Sequence, residues 1–288
     1  MTTVRIVSFN TLFGGRDDDG LGDDSRWRAA APFLRSLDAD LYALQECNFW
    51  DLLGDRRLHQ AREQLGMTSA YLAKANVTTA GHRFHTALLT GPRWSITGQG
   101  AEQNKYHHVL GWANARLDAR GPVWSIRHIH LDPFSPGHRL AEVEPLQTLA
   151  APGRLSLVLG DANMLGLGHA EPDWSALPAH LRATQLELGR HGAGAEAAGT
   201  RRANRDAAGL LESAGFVDAA QLMGDDQATG GFGPGDVERR HDLFLLSPDL
   251  AAGVVSYEVH NEPVERGFSD HRAVSLTIDC SRLPGKTP

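Results

Sequence analysis

Cysteine is nearly absent from this chain of 288 residues: Cys47 and Cys280 are the only two, too few for a disulfide scaffold or a thiolate-rich metal site. Metal ligands must come from Asp, Glu, Asn and His. Lysine is almost as scarce, occurring only at Lys74, Lys105 and Lys286, so the cationic surface is nearly all arginine, the side chain better suited to bidentate phosphate contacts. A GC-biased coding sequence accounts for that equally well. With Lys+Arg 28 against Asp+Glu 35, the net charge of -7 offers no global attraction to nucleic acid or anionic lipid, and a polyanionic partner needs a local basic patch. No apolar run approaches membrane-spanning length, and the opening MTTVRIVSFNTLFGG lacks the basic and then apolar pattern of a signal peptide. A cytoplasmic protein without a membrane span is expected.

What is present suffices for a core, at 41% hydrophobic and 22% charged residues, far from the composition of a disordered chain. The length is roughly two average domains, but sandwiches of this size often fold as one unit. With no repeat or clear boundary, a single domain over 1–280 is expected, with 281–288 as a flexible tail.

Short apolar runs at 4–9 and 40–44 end at Asn10 and at Gln45-Glu46, as buried strands do. Between them Ser25 can cap a helix carrying Trp27, Ala30, Ala31, Leu34 and Leu37 on one face, and a second helix follows Asn48. Residues 84–90, 94–97, 109–117 and 123–131 read as consecutive strands separated by turn residues, which predicts antiparallel pairing. A helix over 139–150, interrupted or started by Pro145, precedes a strand at 155–159 that ends in Gly160-Asp161. The Gly/Ala tract 189–199 reads as a mobile loop, and a helix over 205–214 leads to strands at 242–246, 254–259 and 273–278.

Polar residues recur at these strand ends. Asp161 and Asn163, two apart, can share a face, as can His128 and His130. Asp270 and His271 place a carboxylate able to reach a cation next to an imidazole able to move a proton near neutral pH. Each fragment alone reads more readily as a turn or cap. Together the chain presents, in order, SFN ending at Asn10, LQE ending at Glu46, HLD containing His130, GDAN with Asp161 and Asn163, RHD with Asp242, and SDH with Asp270 and His271.

That series resembles the endonuclease/exonuclease/phosphatase superfamily of deoxyribonuclease-I-like proteins, over about residues 4–278. The resemblance implies an α+β fold, a four-layer α/β/β/α sandwich of two mainly antiparallel sheets with outer helices. It also implies Mg²⁺, with Mn²⁺ as a substitute, and hydrolysis of a phosphate ester. Carried over residue by residue, Glu46 is the principal metal ligand, with Asn10 and Asp270 beside it or one water away. Asp161 orients or deprotonates the attacking water, Asn163 donates to the phosphate, Asp242 holds the His271 ring, and His130 is a second imidazole on the scissile phosphate. Whether Asp161 or His271 is the base stays open. Asn104, Tyr106 and His108 precede a strand that often contributes substrate contacts and are candidates for that role.

Where the superfamily usually has Arg-Ile-Asp, this chain reads Arg240-His241-Asp242, and strand alternation sets His241 on the face opposite Asp242, as a packing or surface residue. The tryptophan-cysteine-aspartate-arginine signature of inositol polyphosphate phosphatases is missing, as is the disulfide pattern of deoxyribonuclease I. The cluster Asp17, Asp18, Asp19, Asp23 and Asp24 reads as a solvated loop, with a second cation site as its alternative. Arg201, Arg202 and Arg205, which with Arg190 flank the Gly/Ala tract, read as exposed, with a second-phosphate grip as their alternative. The function expected is a metal-dependent phosphoesterase acting on a small or medium phosphorylated substrate, diester or monoester, with no obligate protein partner. A nuclease using the same site and a noncatalytic binding protein with the same fold are the alternatives; net charge disfavours the nuclease.

Overall fold

A computed structural model describes residues 3–187 and 201–284. Its strands in chain order are β1 (Thr3–Asn10), β2 (Leu41–Gln45), β3 (Ser69–Ala73), β4 (Thr86–Thr90), β5 (Trp94–Glu102) and β6 (Val109–Leu117). They continue with β7 (Val123–His130), β8 (Leu155–Asp161), β9 (Val217–Asp218), β10 (Asp242–Leu246), β11 (Val254–His260) and β12 (Ala273–Asp279). Two six-stranded sheets result, ordered β11-β12-β1-β2-β4-β3 and β5-β6-β7-β8-β10-β9. Each is antiparallel except for one central parallel pair, β1 with β2 and β7 with β8.

A parallel pair needs a crossover, and helices supply it. Helix α1 (Ser25–Ser36) lies between β1 and β2, α2 (Leu52–Gln64) follows β2, α3 (Pro136–Val143) lies between β7 and β8, and α4 (Asp206–Ser213) packs on α3. Strand alternation sorts the apolar residues into layers. Val4, Ile6, Leu41 and Ala43 of the first sheet meet Ile126, Leu157, Leu159 and Phe244 of the second in the central core. Val7, Phe9, Tyr42 and Leu44 face outward onto Trp27 and Leu34 of α1 and Leu58 of α2. On the far side Ile129, Val158, Leu243 and Leu245 pack on Val143 of α3 and Leu211 of α4. The expected α+β sandwich, with helices outside two facing sheets, is the architecture observed.

Several local expectations differ. Residues 84–90 and 94–97 do not pair with each other: β4 belongs to the first sheet and β5 to the second, so the short turn between them is where the chain changes layers. The half-exposed strand β3, with its weak apolar pattern, was not anticipated. Ser25 is the first residue of α1 and not its cap, because its hydroxyl donates to Asp17. The helix expected at 139–150 is α3 followed by a 3₁₀ segment, Glu144–Ala150, with Pro145 in its first turn. The chain expected to fray from 281 stays packed through Leu283, which is buried in the central core. The tract 189–199 and Arg190 fall outside the described residues. Among the described residues, no helix is long and apolar enough to cross a membrane.

Candidate active site

The residues that face the central core along each strand share one parity, and that parity runs on into polar residues at one end. In β1 it passes from Val4 and Ile6 to Ser8 and Asn10, and in β8 from Leu157 and Leu159 to Asp161. It reaches His130 in β7, and in the antiparallel β10 it starts from Asp242. The carboxyl ends of the two parallel pairs therefore deliver Asn10 and His130, with Glu46 just beyond β2, to one end of the sandwich. Register sets Asp161 directly opposite Asp242 and also beside His130. Gly160 permits this packing: it has φ 132°, and a Cβ there would lie 2.2 Å from the Ile129 carbonyl oxygen.

Asp161 is the hub. Its Oδ2 accepts from Asn10 Nδ2 at 3.1 Å and lies 3.5 Å from His130 Nε2 and 3.8 Å from His271 Nε2. Its Oδ1 accepts the Asn163 backbone N–H at 2.9 Å. Asn10 Nδ2 also donates to Glu46 Oε1 at 3.3 Å, and Glu46 Oε2 accepts the Phe13 N–H at 2.9 Å. Glu46 has φ 53°, the left-handed turn that directs it into the site as β2 ends. Asp242 Oδ2 is 3.0 Å from His271 Nδ1, so the ring is held and its Nε2 faces Asp161.

Charge follows from this packing. Burial raises the Asp161 pKa to about 7, with Asp242 and Glu46 adding to the rise against His271. Burial also raises Glu46, opposed by the Phe13 N–H bond and reinforced by Asp270. For His271 burial opposes the charged form, but the Asp242 carboxylate, then Asp161 and Asp270, outweigh it and lift the pKa well above the ordinary value. Burial drives His130 and His241 the other way, so both rings are neutral.

The structure thus brings together Asn10, Glu46, His130, Asp161, Asn163, Asp242, Asp270 and His271, and His108 joins them by stacking on His130 at 4.4 Å. Asn163 differs in detail: its Nδ2 donates to the Leu131 carbonyl at 3.0 Å, committing one amide hydrogen that was expected to serve phosphate. Asn104 and Tyr106 do not line the cleft. The turn closed by Tyr106 N–H on Gln103 exposes Asn104, and the Tyr106 ring is buried in the outer core beside Leu110.

His241 is the larger correction. Because β10 begins only at Asp242, alternation does not apply, and His241 turns into the site, stacked on His271 at 4.8 Å with Nδ1 3.7 Å from Asp161 Oδ1. Both its ring nitrogens are buried with no hydrogen-bond partner among the described residues. Thr229 Oγ1 accepts the N–H groups of both His241 and Asp242, at 3.2 and 3.0 Å, and no sequence signal marked that threonine. Behind them Arg240 is buried in a two-point pair with Asp218, its shorter contact 2.5 Å.

The cleft above these residues holds about 960 Å³. Phe13, Phe84, Phe134, Val77 and Leu181 make much of its wall, and Arg239, paired with Asp236 at 2.5 Å, is the one Lys or Arg among the described lining residues. The acidic cluster nearby is largely neutralised: Asp17 pairs with Arg26, Asp23 with Arg28, and Asp24 with Arg28 and Arg57. Arg205 is tied to Glu171 at 3.0 Å and to the carbonyl oxygen of His169, so it is not free to reach a phosphate.

The donor set fits a hard divalent cation. Three carboxylates, Glu46, Asp161 and Asp270, line a cleft whose one described arginine is paired with Asp236, and Asp270 Oδ1 is buried without a hydrogen-bond partner among the described residues, while Asn10, its Oδ1 accepting the Leu12 N–H, turns Nδ2 to Glu46 and Asp161 and orients them.

No protein-family profile matches the chain, and no curated protein does. Solved structures do. An endonuclease/exonuclease/phosphatase family protein from Bacteroides thetaiotaomicron superposes with TM-score 0.64 at 14% identity, covering 99% of each chain. An AP endonuclease from Archaeoglobus fulgidus gives TM-score 0.65 at 14% identity over 96% of this chain and 99% of its own. A mannosyl-6-phosphatase from Bacteroides thetaiotaomicron gives 0.59 at 15% over 95% and 98%. The chain has the fold these proteins share.

Proposed function

We propose that this chain is an endonuclease/exonuclease/phosphatase-type phosphoesterase, dependent on a divalent metal, that hydrolyses a small or medium phosphate ester by in-line attack of water. The observation that carries this reading is the meeting of Glu46, Asn10, Asp161 and the Asp242–His271 pair, from five separate strand ends, around one point. Phosphoryl transfer needs positioning and charge stabilisation more than covalent chemistry, and these residues supply both.

Glu46, with Asn10 and Asp270 beside it, would hold Mg²⁺ or Mn²⁺, which would supply charge neutralisation for the phosphate and the departing oxygen. The chain's own groups do the rest. His271, kept protonated by Asp242, presents Nε2–H to a non-bridging phosphate oxygen. Asp161, near neutrality in its proton affinity, orients the attacking water and takes its proton at a carboxylate oxygen. Neutral His130 and His241 flank Asp161 and offer ring nitrogens to the phosphate without adding charge.

The cleft supports a compact substrate over a long nucleic acid. Binding many phosphates requires a track of unpaired cations, and the described walls mix apolar, uncharged polar and acidic side chains with a single, paired arginine. A panel of phosphate mono- and diesters, nucleotides, abasic duplex, RNA and plasmid DNA, assayed with Mg²⁺ and Mn²⁺, tests the reading. Turnover of small esters, abolished by EDTA and by Glu46→Gln or Asp161→Asn, is expected. Turnover that survives Glu46→Gln, or no turnover of any ester, overturns it.

A further inference from the structure

His107, Asp132 and His138 come from three segments and meet on the outer wall of the cleft, apart from the carboxylates that centre on Asp161. Asp132 Oδ1 is fully used, accepting the N–H groups of Phe134 at 2.6 Å and Ser135 at 3.0 Å, which freezes the carboxylate. The remaining oxygen, Oδ2, faces two imidazoles and lies 2.7 Å from His138 Nδ1 and 3.4 Å from His107 Nδ1. The three atoms lie within 4.8 Å of one another.

The backbones carrying these side chains are fixed by a further set of contacts. The buried Glu142, one helical turn beyond His138 on α3, accepts the His107 N–H at 2.7 Å through Oε1 and the Asp132 N–H at 2.9 Å through Oε2. Arg139 Nη1 donates to the Asp132 carbonyl oxygen at 2.8 Å, and Ser135 Oγ caps the His138 N–H at 3.2 Å. A carboxylate spanning two ligand-bearing segments is the kind of outer support that orients ligands around an ion. Asp132, with one oxygen facing both imidazoles, supplies negative charge for an ion to meet.

We infer that His107, Asp132 and His138 form a second metal site that takes a divalent ion of the Zn²⁺ type. Two imidazole nitrogens and one carboxylate oxygen suit such an ion, whereas Mg²⁺ prefers oxygen throughout. Binding takes the place of the direct contact between His138 Nδ1 and Asp132 Oδ2, and the imidazole retreats slightly from 2.7 Å to the wider spacing of ligands around one ion. Three protein ligands, with His107 and His138 partly exposed, leave a position open to solvent or to an anionic group in the cleft. His107 meets His108 edge to face at 4.5 Å and His108 stacks on His130, so the ion stiffens the wall that carries His130.

Co²⁺, which reports nitrogen and oxygen coordination in the visible spectrum, is the probe. Metal-free protein is titrated by absorption and calorimetry as wild type, Glu46→Gln, His107→Ala, His138→Ala and His138→Gln, with melting curves confirming that each variant folds. The expected result is one equivalent with a d–d spectrum in both wild type and Glu46→Gln, weakened on the order of 100-fold in the His107 and His138 variants. Zn²⁺ should compete for it. A spectrum lost in Glu46→Gln but kept in the histidine variants, or none in wild type, overturns the inference and leaves the cluster a hydrogen-bonded triad.

Discussion

At the scale of single residues, two buried histidines, His271 just before β12 and His128 within β7, make opposite use of burial. His271 is buried against Asp242, and the carboxylate keeps it charged. Asp242→Asn removes that partner while preserving shape; a fall in kcat of about 10²- to 10⁴-fold with little change in KM is expected, read from steady-state kinetics on a small ester. His128 lies in the central layer with neither ring nitrogen bonded among the described residues, and burial pushes its pKa down to about 3. Folded-state protonation is therefore harder than unfolded-state protonation, so the stability tied to a neutral ring is full above pH 6.5 and is lost as pH falls from there towards 3. Each pH unit in that window corresponds to at most about 1.4 kcal/mol from this group. His128→Leu should narrow the gap between unfolding free energies measured at pH 7 and pH 4.5; an unchanged gap would show that other groups dominate. His241 shows what sequence reading missed here, since alternation holds only inside a strand and β10 starts one residue later.

At the scale of elements, strand parity both builds the core and aims the site. Leu157 faces the central core two pleats before the end of β8, where Asp161 continues the same face. Leu157→Ala should cost about 2–5 kcal/mol in denaturant unfolding, through lost burial and the cavity left behind. Gly160 is the element's tight point. Gly160→Ala sets a methyl against the Ile129 carbonyl at a φ that side chains rarely adopt, and is expected to lower stability and activity together because the shift displaces Asp161. Stability reduced with full kcat would separate the strand's packing from the aim of its last residue. The strand β3 was not legible because a half-exposed edge strand carries little periodic signal, while the apolar runs of β1, β2 and β8 were.

At the scale of the whole molecule, two sheets with the same central pattern face each other, and the carboxyl ends of both parallel pairs open on one cleft. Under the proposed function, the net charge of -7 and a described cleft wall with one paired arginine would together disfavour a long polyanion. Raising salt from 50 to 200 mM should change kcat/KM for a small ester by less than about threefold, where a protein neutralising many phosphates loses orders of magnitude in affinity over that range. A steep salt slope on DNA with rates matching the small esters would instead reveal a cationic track beyond the described walls.

The linear order of residues was enough to mark most of the side chains that gather at the cleft, because each of the six short motifs sits where an apolar run stops, but it set Asn104 and Tyr106 there in error and missed His241. It also marked where most strands lie, since an apolar run is a local property, but not which sheet each joins, as β4 and β5 show. Distances were beyond its reach. That Asn10, Glu46, Asp161 and His271 share hydrogen bonds and charge depends on sheet register and on two sheets packing face to face, long-range facts that no local pattern encodes. The same holds for the burial that raises Asp161 and neutralises His130 and His241, because desolvation is set by neighbours distant in sequence.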